Sequence, residues 1–313
     1  MQVTVIVCTR NGSARIGPTL TACRREVNAW GSSAELLVVD SASSTLEAEA
    51  LAELCQEHDA RLLTLSRPGL SRARNAAASD ALGDVLAFTD DDAVPDPGWL
   101  EHLVRPILSG AANATSGAVR LTAQSSAHGL PDFFLLRLAI VSGADPENVP
   151  MIGVNMALTR RDALALSWDE ELGAGARGFA EDTLLGLQLR ELGTQIGFCS
   201  GAVVEHSPDE SRLTPGGWRD HARRHGTSDA WVWHHWLHTD LSLLSARALV
   251  KVAYALGAQV VRAPLEVQMN LLYEVQLLRG IKTLRKTPRL YYRRGVRRLP
   301  NVSLNGPAPK GLS

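Results

Sequence analysis

Apolar positions along the first two-thirds of the chain follow two alternating rhythms. Short runs rich in aliphatic and β-branched residues, Val3–Val7, Glu35–Val39, Arg61–Leu65 and Val85–Thr89, have the length and composition of buried strands. Between them lie Ile16–Trp30, Leu46–His58 and Leu70–Leu82, where apolar residues recur at helical spacing. This alternation predicts an α/β fold with a mostly parallel sheet covered by helices. Further strands are predicted at Ala114–Thr122, Ile152–Leu158 and Gln195–Val204, with a helix over Glu181–Leu192. After His206 the strand pattern stops. From Thr214 to Tyr292 the chain reads as helical, kinked or broken at Pro264. The expected organisation is an α/β domain over 1–210, a helical extension over 211–299 and a loose tail over 300–313.

Composition narrows the class. With 313 residues, 45% hydrophobic and 21% charged, the chain can bury a large core, and disorder and a coiled coil are both excluded. Cys8, Cys23, Cys55 and Cys199 are far apart and form no CxxC pair, which argues for reduced thiols in a cytoplasmic protein. Val3–Val7 is too short for the core of a signal peptide and has no basic flank. The longest apolar stretch, Leu241 to Leu265, is interrupted by Arg247, Lys251 and Arg262, so no clean span of ~20 apolar residues exists. The net charge of −1 conceals an asymmetry: residues 279–298 carry nine Lys or Arg and no acid, leaving 23 basic against 33 acidic residues elsewhere. An acidic body with a basic tail suggests a site that handles cations and a tail that seeks phosphates.

The candidate chemistry lies at the strand ends, where open α/β sheets bind ligands. In chain order these ends are Cys8-Thr9-Arg10-Asn11, then Asp40, then Arg67, then Asp90-Asp91-Asp92. Two like charges ~4 Å apart repel by roughly 4 kcal/mol at an effective dielectric near 20, so three adjacent carboxylates call for a cation or a function.

The stretches "VTVIVCTRNG", "ELLVVDSASS", "RPGLSRARNAA", "FTDDDAVPDPGWL", "GVNMALTRRDAL", "FAEDTLLGLQLRELG" and "AVVEH" occur in an order and spacing that resemble a family 2 glycosyltransferase of the GT-A fold, from residue 3 to about 206. The resemblance implies an inverting, metal-dependent transfer of sugar from a nucleotide diphosphate donor (UDP, GDP or dTDP type) to an acceptor hydroxyl. It implies Asp90 facing the ribose or sugar, Asp92 as ligand of Mg²⁺ or Mn²⁺ with Asp91 assisting, and His206 helping to hold the metal or diphosphate. Thr9, Arg10 and Asn11 would line the nucleotide, Asp40 and Arg74 would contact its base side, and Asn155, near Gly153, would line the sugar pocket. Asp182 matches the family's catalytic base, with Glu181 as a structural or acceptor-orienting neighbour. The family's common second acid and following glycine after the second strand are replaced by Ser41 and Ala42, which leaves the nucleobase open.

Other motifs lead elsewhere. "GAGARG" (173–178) satisfies GxGxxG but follows no buried strand, and dinucleotide binding requires that context. "DDDAV" fits the D-x-D-x-[TV] signature of phosphatases with an aspartate nucleophile, yet no lysine precedes Lys251. A further alternative is a GT-A domain that binds nucleotide or glycan without catalysis. His221 and His225 stand at i, i+4, but Ala222 replaces the glutamate a zinc protease needs. Trp218, Trp231, Trp233 and Trp236 cluster nearby, suited to a core, to sugar stacking or to a membrane interface. With the basic segment 279–298 they suggest peripheral attachment to an anionic inner leaflet. A homo-oligomer is a further expectation. Nucleic acid is not an expected partner, because no reading module is present.

Overall fold

The structure, a computed structural model, describes residues 2–123, 132–145, 147–239 and 263–291. The chain divides into two compact units, Met1–Gly175 with Glu181–Pro208, and Ala176–Ala180 with Asp209–Ser313. Ala176–Ala180 thus pack with the second unit, although they lie inside the stretch assigned to the first domain from sequence.

The first unit is built on β1 (Val3–Thr9), α1 (Ser13–Trp30), β2 (Ala34–Asp40), α2 (Thr45–Glu57), β3 (Arg61–Thr64), α3 (Leu70–Asp80) and β4 (Val85–Asp90). There follow β5 (Ala93–Pro95), α4 (Trp99–Leu108), β6 (Ala114–Leu121), single turns at Asp132–Leu135 and Leu136–Leu138, β7 (Asn155–Thr159), α5 (Arg160–Leu166), α6 (Glu181–Glu191) and β8 (Ile196–His206). The eight strands form one sheet in the order β3-β2-β1-β4-β7-β6-β8-β5. Pairing is parallel from β3 to β4 and between β6 and β8; β7 is antiparallel to β4 and β6, and β5 to β8. Every residue of β1 is buried, because helices cover the sheet and β2 and β4 flank it, which is why the strand reads as one apolar run.

Register places the chemistry. Thr9 lies opposite Asp40 and Cys8 opposite Asp90, so three carboxyl ends share one edge at the point where strand order reverses. The turn Asp91-Asp92 then carries the chain into β5, whose Ala93 pairs with His206.

The sequence reading passed over α4, α5 and β5. Trp99, Leu100, Leu103, Val104 and Ile107 of α4 are buried, a pattern hidden between Gly98 and Pro106. The start of α4 is capped from another element: buried Glu26 accepts from the backbone N–H of Gly98 (3.3 Å) and of Leu100 (3.2 Å). Thr159 caps α5 by accepting from the Asp162 N–H. β7 begins at Asn155 rather than Ile152, because the Asn155 N–H closes a turn on the Ile152 carbonyl. All four cysteines are buried and free.

In the second unit, α7 (Pro215–His235) and α8 (Leu265–Leu284) cross closely. A Cβ on Gly226 would lie 2.3 Å from the Tyr273 carbonyl, and one on Gly280 would lie 2.6 Å from Ala230. Thr214 caps α7, and Pro264 immediately precedes α8. Trp218, Trp231 and Trp236 are buried, a core role. His221 and His225 stack 5.8 Å apart beside Phe179, whose ring centroid is 4.3 Å from that of His221. No helix among the described residues is long and apolar enough to cross a membrane. Residues 241–262, 292–298 of the basic stretch and 300–313 lie outside the described residues.

Candidate active site

Thr9, at the end of β1, is buried, and its hydroxyl donates to the Asp91 carboxylate. Arg15, from the first turn of α1, grips the same carboxylate twice, Nε to Oδ1 at 3.0 Å and Nη2 to Oδ2 at 2.6 Å. Gly12 makes room for this knot, since a Cβ there would lie 2.3 Å from Thr9 Oγ1 and 2.5 Å from Asp91 Oδ2. Burial pushes the Asp91 carboxyl above its ordinary value, against the pull of Arg15 and Thr9. Asp91 thus ties β4 to α1, and the Thr9 hydroxyl is engaged in the same knot. Arg15, which sequence reasoning missed, left only one signal: a cation in the first turn of the helix after β1.

Asn11 latches two loops together. Its N–H donates to Ser43 Oγ (2.8 Å), and its Oδ1 accepts from the Ser44 N–H (2.9 Å). Asp40, buried at the foot of the second loop, accepts from the Ser43 N–H at 3.0 Å. Arg10 stays exposed, with Nε 3.4 Å from the Ala42 carbonyl, and is the side chain of this loop available to stack on a base.

Asp92 and His206 meet across the β5–β8 edge, with Oδ1 3.4 Å from Nε2. His206 is buried, and its Nδ1 sits 3.2 Å from the Leu138 carbonyl, which can only accept. With Nδ1 facing a carbonyl, Nε2 is the ring nitrogen turned toward the Asp92 carboxylate, an arrangement that a shared metal ion can bridge. Imidazole nitrogen with carboxylate oxygen is a donor set that suits Mn²⁺. Among the described residues no third His, Cys, Asp or Glu completes a metal-binding group. The residues fit a divalent ion that takes its other ligands from elsewhere.

Asp182 lies in the first turn of α6, where a negative charge is favoured. Its Oδ2 accepts from the Gly153 N–H (2.9 Å) and its Oδ1 from the Thr183 N–H (2.6 Å), which leaves further lone pairs on both oxygens. Beside it, Arg74 is only 2% exposed. Arg74 donates through Nη1 to Glu181 Oε1 (2.9 Å), and through Nη2 to the Gly153 carbonyl (3.2 Å) and Asp90 Oδ1 (3.4 Å). The guanidinium is thus enclosed by protein contacts on both of its terminal nitrogens. Asn155 is fully buried: it accepts from Trp99 Nε1 (2.8 Å) and donates to the carbonyls of Ala118 and Ala202 (both 2.8 Å). It pins α4 to β6 and β8.

Burial, reinforced by the charge of Asp182 and opposed by Arg74, pushes Glu181 from an ordinary 4.5 up to about 7. The folded state thus holds this proton more tightly than the unfolded chain. Stability associated with Glu181 is present below about pH 4.5 and is lost as pH rises to about 7. The Tm of Glu181→Gln is expected to gain on wild type between pH 5 and pH 8, read by differential scanning calorimetry. An unchanged gap across that range would contradict a raised acid.

The sequence profile of the family described as Glycosyl transferase family 2 matches residues 4–166, more than half of the chain. The chain belongs to that family. It is 41% identical over 76 residues to polypeptide N-acetylgalactosaminyltransferase 5 of Mus musculus, covering 23% of this chain and 8% of that protein. It is 28% identical over 152 residues to polypeptide N-acetylgalactosaminyltransferase 8 of Drosophila melanogaster, covering 44% of this chain and 24% of that protein. The chain thus spans less than a quarter of the length of either relative. The fold matches that of the mannosyltransferase PcManGT from Pyrobaculum calidifontis, solved in complex with GDP-Man and Mn²⁺, with a TM-score of 0.58 and 19% identity over 92% of this chain and 88% of that one. The sheet of this family 2 chain, flanked by helices and followed by a helical unit, is the GT-A architecture.

Proposed function

We propose that this family 2 chain is an inverting glycosyltransferase that uses a divalent metal and a nucleotide diphosphate sugar. The observation that carries the reading is the Asp92–His206 pair, two ligand atoms held 3.4 Å apart at the sheet edge that also presents Asp90. Mg²⁺ or Mn²⁺ held there would stabilise the charge of the departing diphosphate. Asp90, a third exposed, is placed to accept from a donor hydroxyl. Asp182 accepts the proton of the acceptor hydroxyl, having been oriented by two backbone N–H groups before any substrate arrives. PcManGT, with GDP-Man and Mn²⁺ bound, supports the same class of donor and ion.

The aspartyl-phosphatase reading weakens because family membership points elsewhere. The test is a thermal-shift panel of UDP, GDP and dTDP and their sugars, with and without Mn²⁺. A ligand at 100 times its Kd raises apparent stability by about 2.7 kcal/mol. One nucleotide is expected to raise Tm only with metal present; no metal-dependent shift with any of them would sink the proposal.

By charge alone, the basic segment supports contact with an anionic membrane. Flotation with phosphatidylserine vesicles is expected to be lost in the quadruple variant R293Q/R294Q/R297Q/R298Q, and equal binding by both proteins removes the idea.

A further inference from the structure

Arg74 touches both sides of the proposed reaction while remaining out of reach of any substrate. Its Nη2 lies 3.4 Å from Asp90, on the donor side, and 3.2 Å from the carbonyl of Gly153, whose own N–H holds Asp182 at 2.9 Å. Its Nη1 holds Glu181, the residue next to Asp182, at 2.9 Å. Gly153 is the narrow point, because a Cβ there would lie 2.7 Å from Arg74 Nη2 and 3.2 Å from Asp182 Oδ2. Guanidinium and carboxylate therefore meet at this one glycine, the first at its carbonyl and the second at its N–H.

We propose that Arg74 is a positioning residue that couples occupation of the donor site at Asp90 to the placement of Asp182, through Gly153 and Glu181. The inference rests on the reading of Asp90 as donor-facing and Asp182 as the base. The contact with Asp90 is the longest of the three and joins the most exposed partner, so a donor hydroxyl on Asp90 alters that contact first. The guanidinium is planar and rigid, so a change at one nitrogen reorients the others. Gly153 and Glu181 receive the change, and Asp182 is held more firmly when donor is present. Such coupling is reciprocal in binding free energy, so fixing Asp182 also favours the donor.

Backbone amide exchange at Gly153 and Thr183, the two N–H groups that hold Asp182, reads this coupling without turnover. It is followed by NMR in wild type, R74K and R74M, with and without Mn²⁺ and whichever of UDP, GDP or dTDP raises the wild-type Tm. Coupling free energies correspond to factors of about 5–150, so protection of both amides is expected to rise about tenfold or more on binding to wild type. R74K keeps the charge but lacks the fork, and it serves if R74M does not fold. Both variants are expected to bind the same probe within a few-fold and to show no rise. Equal rises in wild type and variants overturn the coupling and leave the functional reading intact. A folded R74K that no longer binds nucleotide also overturns it, since Arg74 would then serve binding rather than positioning. If none of the three diphosphates binds wild type, the donor-site reading fails, and the coupling fails with it.

Discussion

Asp182→Asn is expected to slow sugar transfer by about 10²–10⁴-fold, the range for loss of a general base, while Mn²⁺–nucleotide affinity stays within a few-fold of wild type. The split follows from where the side chain sits. Asp182 is held by the Gly153 and Thr183 N–H groups at the head of α6, and its contacts reach the donor side only through Arg74 and Gly153. The amide has one acceptor oxygen where the carboxylate has two, so one of those N–H groups faces an NH₂. If the Gly153 N–H is the one left without an acceptor, the cost is about 1–3 kcal/mol, and the rate must therefore be measured well below the variant's Tm. Calorimetric titration with Mn²⁺ and nucleotide, alongside steady-state release of nucleotide, separates the two quantities. A folded D182N enzyme that turns over at the wild-type rate removes Asp182 from catalysis.

Asp92→Ala is expected to weaken Mn²⁺–nucleotide binding by on the order of 10²-fold or more. It deletes a charge that interacts with a cation by several kcal/mol at short range, and each 1.4 kcal/mol is about tenfold in affinity. Asp91→Ala provides the contrast. Its carboxylate is already taken by Arg15 and Thr9, so its loss is expected to lower Tm while leaving metal–nucleotide affinity within a few-fold. Adjacent residues of one motif thus have opposite signatures, one in binding and one in stability. If D91A loses the metal and D92A keeps it, the orientation of the acidic turn has been misread.

Much of the fold was legible because most β strands of the first unit, the three-residue β5 excepted, carry their own signal. An apolar run such as Val3–Val7 is buried on both faces, and a polar residue where it ends marks the sheet edge whatever the neighbours are. The positions of Asp40 and Asp90 were legible for the same reason. The helices α4 and α5 were not, because glycine and proline around Trp99–Leu108 resemble a turn, and the cap that starts α4 comes from Glu26, more than seventy residues earlier.

By itself, then, the sequence determined most of the strands, which of their ends carry carboxylates and which family the chain belongs to, since these depend on local pattern and on residue order. Only the tertiary structure decided which of those groups remain available. Arg15 reaches Asp91 across 76 positions, Trp99 reaches Asn155 across 56 and Arg74 reaches Glu181 across 107, and each contact takes a polar group that the sequence presents as free. The physical reason is that a buried polar group must find a partner, and the partner is set by how helices pack on the sheet, a relation that no local stretch of residues contains.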